Sequence, residues 1–257
     1  MTDTWARGQT SFTICVSTAY GPMLVNRFDI NQTNALVKTM HAVDHRDIGL
    51  LVQLLDVFPE NRVFIDIGAN LGTYTLGIAR HVGPKGKVIS FEAQRILSYM
   101  LAGSIALNGL TNVYCYNRAV GRNHATIEIP QFDYNKPLNF GSVEFGGEQR
   151  EQLHQERQHR DDSIDYVEVI PLDSLSLPQV NIIKIDVEGM EADVLEGAKD
   201  TLRRCRPILY VEYIKSDRDG LIRAVEGLDY VVHILPGNLL CVPRELSSKI
   251  SVTTKMA

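Results

Sequence analysis

The sequence is short of several things, and each shortage narrows its reading. Among 257 residues there are four cysteines, Cys15, Cys115, Cys205 and Cys241. They lie far apart with no CxxC spacing. That speaks against a zinc site or a disulfide framework and for buried free thiols in a reducing compartment. Positive charge is not in surplus either: 26 Lys and Arg stand against 31 Asp and Glu. A dedicated nucleic-acid binder usually carries a basic excess, so nucleic acid is not the expected partner. No apolar run reaches the length of a membrane span. The first residues, MTDTWARGQTS, lack the basic start and apolar stretch of a secretory signal. A cytoplasmic protein without a membrane span is the expectation.

Two nucleotide signatures are also missing. The run VFIDI (residues 63–67) leads into the loop Asp66-Ile67-Gly68-Ala69-Asn70-Leu71-Gly72-Thr73. With no Gly-Lys-Ser/Thr it is not a P-loop. Asn70 stands where a GxGxxG fingerprint would place its second glycine for close approach to a pyrophosphate. The loop still reads as a tight turn opening a helix.

From Val63 onward, short apolar runs alternate with helix-like segments. The runs are VFIDI, KVISFEA, NVYCYNRAV, NIIKIDVEG and ILYVEY, and helices are expected at Tyr74 to His81, Ile96 to Leu107 and Glu191 to Arg204. Near-continuous apolar runs suit strands buried on both faces of a parallel sheet. Their alternation with helices implies βαβ crossovers. YVVHIL and NLLCVP flank Pro236-Gly237-Asn238, which predicts an antiparallel hairpin at the end. The fold class is therefore α/β: a mostly parallel seven-stranded sheet with an antiparallel C-terminal hairpin.

Residues 61–243 form the main domain, and residues 244–257 a tail. Residues 1–60 read as a lead-in, with strands at SFTICVS and PMLVNRF and helices at Asn31 to Met40 and Asp44 to Val57. Residues 132–165 read as a polar insert whose core is EFGGEQREQLHQERQHRDDS. It is either a solvated loop or exposed helix, or a mobile lid or substrate-recognition insert.

Glu92 ends the run KVISFEA. An acid at that strand end can accept both hydroxyls of a ribose, and in open α/β sheets the ligand lies at the carboxyl ends of the strands. A ribose-bearing cofactor without a pyrophosphate fits both the loop and Glu92, and S-adenosylmethionine is of that kind. Its amino-acid end would lie at the loop and Asp66, and its ribose at Glu92.

FIDIGANLGTYT, FEA and IIKIDVEGMEADVLEGA together resemble the FkbM-type family of S-adenosylmethionine-dependent methyltransferases. The phrase KIDVEGxE with VLEGA downstream is the most specific part, and the resemblance runs from about Tyr20 to Pro243. It implies a Rossmann-like class I methyltransferase fold and methyl transfer to oxygen, often of a sugar or polyketide hydroxyl; some relatives methylate nitrogen. One departure is Ala93, where the family usually has proline. The cofactor-binding positions so assigned are Asp66, Gly68, Asn70, Gly72, Thr73, Tyr74, Glu92, Ala93, Ala119 and Asp186.

Asp186, Glu188 and Glu212 stand at the ends of the fourth and fifth strands, beside the expected position of the reacting methyl group. Glu188 is the leading candidate base, then Asp186, with Glu212 as a partner for substrate hydroxyls. Extended backbone would point Asp186 and Glu188 to opposite faces. The three carboxylates could also collect a divalent cation, but binding of substrate without metal is the expectation. Lys184 could pair with one of these acids, and His233 reads as structural. Three functions remain open: a methyltransferase for a small-molecule hydroxyl, one for a peptide or protein side chain, and an inactive binding domain on the same fold.

Overall fold

A computed structural model describes residues 11–144 and 164–250. Most of the expected polar insert, residues 145–163, lies outside the described residues. Among them, no helix is long and apolar enough to cross a membrane.

The seven-stranded sheet is present. Its strands are β3 (Val63–Ile67), β4 (Lys87–Phe91), β5 (Val113–Tyr116), β9 (Ile182–Ile185), β10 (Ile208–Glu212), β11 (Tyr230–Ile234) and β12 (Asn238–Pro243). Their spatial order is β11-β12-β10-β9-β3-β4-β5. β12 pairs antiparallel with both β10 and β11, and the remaining pairings are parallel. The C-terminal hairpin thus sits at one edge, as its turn residues predict.

Both faces of the sheet are covered. On β3, Phe64 packs into the cluster under α1 (Gln32–Thr39), α2 (His45–Leu55), α3 (Thr73–Ala79) and α4 (Arg95–Leu107). Its neighbours Ile65 and Ile67 point the other way, into the cluster with α5 (Glu191–Glu196), α6 (Lys199–Cys205) and α7 (Arg218–Glu226). This is why the strand reads as apolar at almost every position. Burying a Phe, Leu or Ile fully is worth roughly 1.5–3 kcal/mol.

Three details depart from the sequence reading. The run NVYCYNRAV is not one strand: β5 ends at Tyr116, and Ala119–Val120 form β6 in a separate sheet. That sheet has the order β6-β8-β7, with β7 (Ala125–Pro130) antiparallel to β8 (Ile164–Ile170). The helix expected from Glu191 to Arg204 is broken at Gly197, where a Cβ would lie 1.9 Å from the carbonyl oxygen of Gly121. Close backbone approach is what requires glycine at that position. Between β10 and β11, α7 went unrecognised because its apolar face is only Leu221 and Val225 deep.

The cysteines are all free, but only Cys241 is buried; Cys15 is exposed. Cys15 lies on β1 (Thr13–Thr18), a hairpin strand with one face to water, so an apolar-looking run did not imply burial. Its partner β2 (Gly21–Asn26) packs on α4, where the Leu24 N–H donates to Ser104 Oγ at 2.9 Å. Residues 132–144 are not a solvated segment. The rings of Phe12, Tyr134 and Phe140 stack in series at 5.5 and 5.2 Å. Asn26 also donates to the Tyr134 carbonyl at 3.0 Å. Lead-in and insert meet, and together they wall the site.

Candidate active site

β3 has β4 on one side and β9 on the other, so the strand order reverses there. Ligands bind in the crevice at such a point. A cleft of about 280 Å³ opens at the carboxyl ends of these strands. That is close to the lower end of small-molecule sites.

The loop after β3 is shaped from behind. Gly68 has φ 75°, and a Cβ there would lie 1.7 Å from the Asp186 carbonyl oxygen. Asn70 also has positive φ, 51°, which asparagine tolerates. That conformation turns the Asn70 N–H onto Glu92 Oε2 at 2.7 Å. Glu92 Oε1 accepts from the Gln94 N–H, also at 2.7 Å. Glu92 is nearly buried and lines the cleft. Burial pushes its carboxyl up to about 7, against the pull of those two backbone donors.

The missing proline at Ala93 is compensated by Asn117. Its amide donates to the carbonyls of Glu92 at 2.9 Å and Ala93 at 2.8 Å. Asn117→Leu leaves both carbonyls without this donor. A loss of about 1–3 kcal/mol is expected, read by chemical denaturation.

The acidic end is built from the turn after β9. The strand stops at Ile185, and Glu188 and Gly189 take φ of 57° and 106°. Asp186 and Glu188 therefore do not point to opposite faces. Together with Glu212 they bring carboxylate oxygens within 4.8 Å of one another. The brace is Glu191, which sequence reading did not assign: its Oε1 accepts from the N–H groups of Val187 at 2.9 Å and Gly189 at 3.2 Å. Its Oε2 accepts from the Ser216 hydroxyl. The second acid of the VEGME phrase thus holds the turn that presents the first.

Two buried lysines balance this charge. Lys184 Nζ donates to the Gly68 carbonyl at 2.7 Å and lies 3.3 Å from Asp186 and 3.6 Å from Asp66. Burial works against its charge, but Asp186 and Asp66 outweigh it and raise its pKa. Lys215 Nζ lies 2.5 Å from Glu188 and 3.8 Å from Glu144. Glu212 is pushed up to about 9 by burial and by the charges of Asp186, Glu188 and Glu191. Its carboxyl is thereby pushed toward the protonated form.

The expected site residues divide. Gly68, Asn70, Tyr74, Glu92, Ala93, Ala119, Asp186, Glu188 and Glu212 all line the cleft. Asp66, Gly72 and Thr73 do not. Asp66 has no exposed surface; Thr75 Oγ1 donates to its Oδ2 at 2.6 Å, and it faces Lys184. Asp66 therefore adds no surface to the cleft. Gly72, at φ 87°, sits against Leu101 at the start of α3. His233, on β11, pairs with Leu240 of β12 and is absent from the lining. Gln32, Asp44, Asn139, Ser142 and Lys215 line the cleft without having been singled out. Gln32 and Asp44 come from the lead-in and Asn139 and Ser142 from the insert, which fold over the site from afar in sequence; Lys215 comes from the segment between β10 and α7.

A family model for the Methyltransferase FkbM domain matches residues 66–232, well over half the chain. The chain belongs to the FkbM methyltransferase family. Two curated relatives are Methyltransferase 1 of Beauveria bassiana, 26% identical over 156 residues, and Methyltransferase sdnD of Sordaria araneosa, 27% identical over 166 residues. These alignments cover 56% and 55% of this FkbM-family chain and 61% and 62% of the relatives. The chain thus spans about three fifths of the curated relatives it matches. Among solved structures, Methyltransferase FkbM from Methylobacillus flagellatus KT is similar at 19% identity and a TM-score of 0.49, covering 72% of this chain and 44% of that one. A SAM-dependent methyltransferase from Aquifex aeolicus is similar at 14% identity and a TM-score of 0.43, covering 80% and 95%. The family match begins at Asp66, so the lead-in residues of the cleft lie outside it.

Proposed function

We propose that this chain is an S-adenosylmethionine-dependent methyltransferase that methylates a hydroxyl oxygen of a small-molecule acceptor, with a sugar hydroxyl as the leading case. The observation that carries the cofactor reading is Glu92. Its two oxygens are each fixed by a backbone N–H, and it lines the cleft at the position where ribose hydroxyls are accepted. The lysines of the cleft are paired to carboxylates instead of being presented to a phosphate. The donor set therefore fits a cofactor with a ribose and no pyrophosphate. When bound, S-adenosylmethionine supplies a methyl group on a positively charged sulfur.

The chain's own residues then have three tasks. Glu92 and the loop at Gly68 and Asn70 orient the nucleoside. Glu188, held by Lys215, accepts the proton of the acceptor hydroxyl, with Asp186 as the second candidate. Glu212, which burial and the neighbouring acids push toward the protonated form, hydrogen-bonds the acceptor's hydroxyls. Positive charge that develops on the acceptor oxygen meets preformed carboxylates, which is where electrostatic help counts. The cleft is concave and walled by lead-in and insert, which supports a small acceptor over an extended peptide. No metal is part of this reading.

The test is transfer of a labelled methyl group from S-adenosylmethionine to a panel of sugars, polyols and peptides, with the product read by NMR. A methoxy signal on a small molecule is the expected result. An N-methyl peptide product supports the second acceptor class, and cofactor binding without transfer to any member supports an inactive binding domain. Glu188→Gln is expected to lower the rate by about 10²–10⁴-fold. Cofactor affinity should stay within about twofold in the same variant, since the base does not hold the nucleoside.

A further inference from the structure

Placing Asp66 behind the loop leaves a question about the same cofactor reading. The α-ammonium of S-adenosylmethionine needs an acceptor, and the acid expected to supply it is buried against Thr75 and Lys184. The acids that line the cleft outside the ribose position are Asp44, Asp186, Glu188 and Glu212. Asp186 is paired with Lys184 and Glu188 with Lys215. Glu212 belongs to the same cluster, its carboxylate oxygen within 4.8 Å of those of Asp186 and Glu188.

Asp44 differs from all three. It sits at the N-cap of α2, where an aspartate ordinarily turns its carboxylate onto the helix N–H groups. Here it makes no such cap. Its Oδ2 instead accepts from Gln32 Nε2 at 2.8 Å. The other end of the Gln32 amide is fixed as well, because Oε1 accepts from the Val43 N–H at 3.2 Å. A nearly buried glutamine therefore holds the aspartate away from its local role and on the wall of the cleft. Both residues belong to the lead-in, outside the matched family domain.

We propose that Asp44 receives the α-ammonium of the bound cofactor and that Gln32 is its positioning residue. This rests on the S-adenosylmethionine reading above. It gives the lead-in a function: it closes the amino-acid end of a site whose ribose end is built by β3 and β4. An ammonium–carboxylate hydrogen bond is a charged one, and its loss costs about 10- to 100-fold in affinity.

Calorimetry with two probes tests the assignment. S-adenosylhomocysteine has the amino-acid arm; 5′-methylthioadenosine has the same nucleoside without it. Asp44→Asn should weaken S-adenosylhomocysteine by about 10- to 100-fold and 5′-methylthioadenosine by less than about twofold. Gln32→Ala should show the same split with a smaller loss. Retained binding of 5′-methylthioadenosine doubles as proof that the variants fold. Equal weakening of both probes, or no weakening of S-adenosylhomocysteine, overturns the proposal while leaving the cofactor reading in place. If the wild-type protein binds neither probe, both readings fall.

Discussion

Glu92→Gln is expected to weaken S-adenosylhomocysteine binding by about 100-fold at pH 8, since two ribose hydroxyls lose a charged acceptor. The pH dependence gives the assignment its sharper signature. In the free protein the Glu92 carboxyl titrates at about 7, because burial raises it more than the Asn70 and Gln94 N–H groups lower it. Ribose hydroxyls donate more strongly to the ionised form, whose two oxygens both accept, so binding pulls this pKa down. Affinity should therefore level off above pH 7. Below it, affinity should fall, approaching tenfold per pH unit. The glutamine variant should lose that slope. Calorimetric titrations from pH 5.5 to 8 check this, and an unchanged slope in Glu92→Gln would assign the titration to another group.

The second large effect is on stability. Gly68→Ala puts a Cβ 1.7 Å from the Asp186 carbonyl oxygen, at a φ of 75° that alanine adopts at a cost. The clash is with backbone, so no rotamer change relieves it. β3 and β9 are hydrogen-bonded neighbours at this point, where the Asp186 N–H donates to the Ile67 carbonyl at 3.1 Å. Moving one strand end moves the other, together with the carbonyl that holds Lys184. A loss on the order of 4 kcal/mol is expected, which lies at the severe end for single substitutions. In thermal denaturation that corresponds to a fall of roughly 10 °C for a chain of this size. Gly49→Ala, in open space on α2, is the contrasting substitution and should be neutral or stabilising.

These two residues also show how much could be read from the sequence. The sheet was legible because its strands are buried on both faces, and burial on both faces writes itself as unbroken apolar runs. Gly68 and Glu92 were legible because each stands at a strand end, where the topology alone brings them to one crevice. Asp66 is the contrasting case. It ends its run as Glu92 does, but its neighbours Thr75 and Lys184 enclose it, and no local pattern announces that. Asp44, Gln32 and Ser142 could not be found from spacing, since they reach the cleft only through packing of lead-in and insert over the sheet. Asp186 and Glu188 stand in one cluster with Glu212, and their directions depend on the left-handed turn at Glu188 and Gly189. The signal for that turn was present: a glycine follows Glu188, and Glu191 two residues later supplies the carboxylate that holds it.

The chemistry at the acidic end follows from the same constraints. Three carboxylates within 4.8 Å cannot all stay ionised without compensation. Lys184 and Lys215 compensate two of them, and burial with the neighbouring charges pushes the third, Glu212, toward its protonated form. Hydrogen-bond acceptors and a donor thus stand side by side at the strand ends. That combination suits a hydroxyl, which must give up one proton while its neighbours are held.

The central claim is that the cleft at the switch point is a site for S-adenosylmethionine, and titration of the folded wild-type chain with S-adenosylhomocysteine tests it most directly. The account predicts one binding event per chain with a dissociation constant in the micromolar range at pH 8. A cooperatively folded protein that takes up no S-adenosylhomocysteine would contradict it.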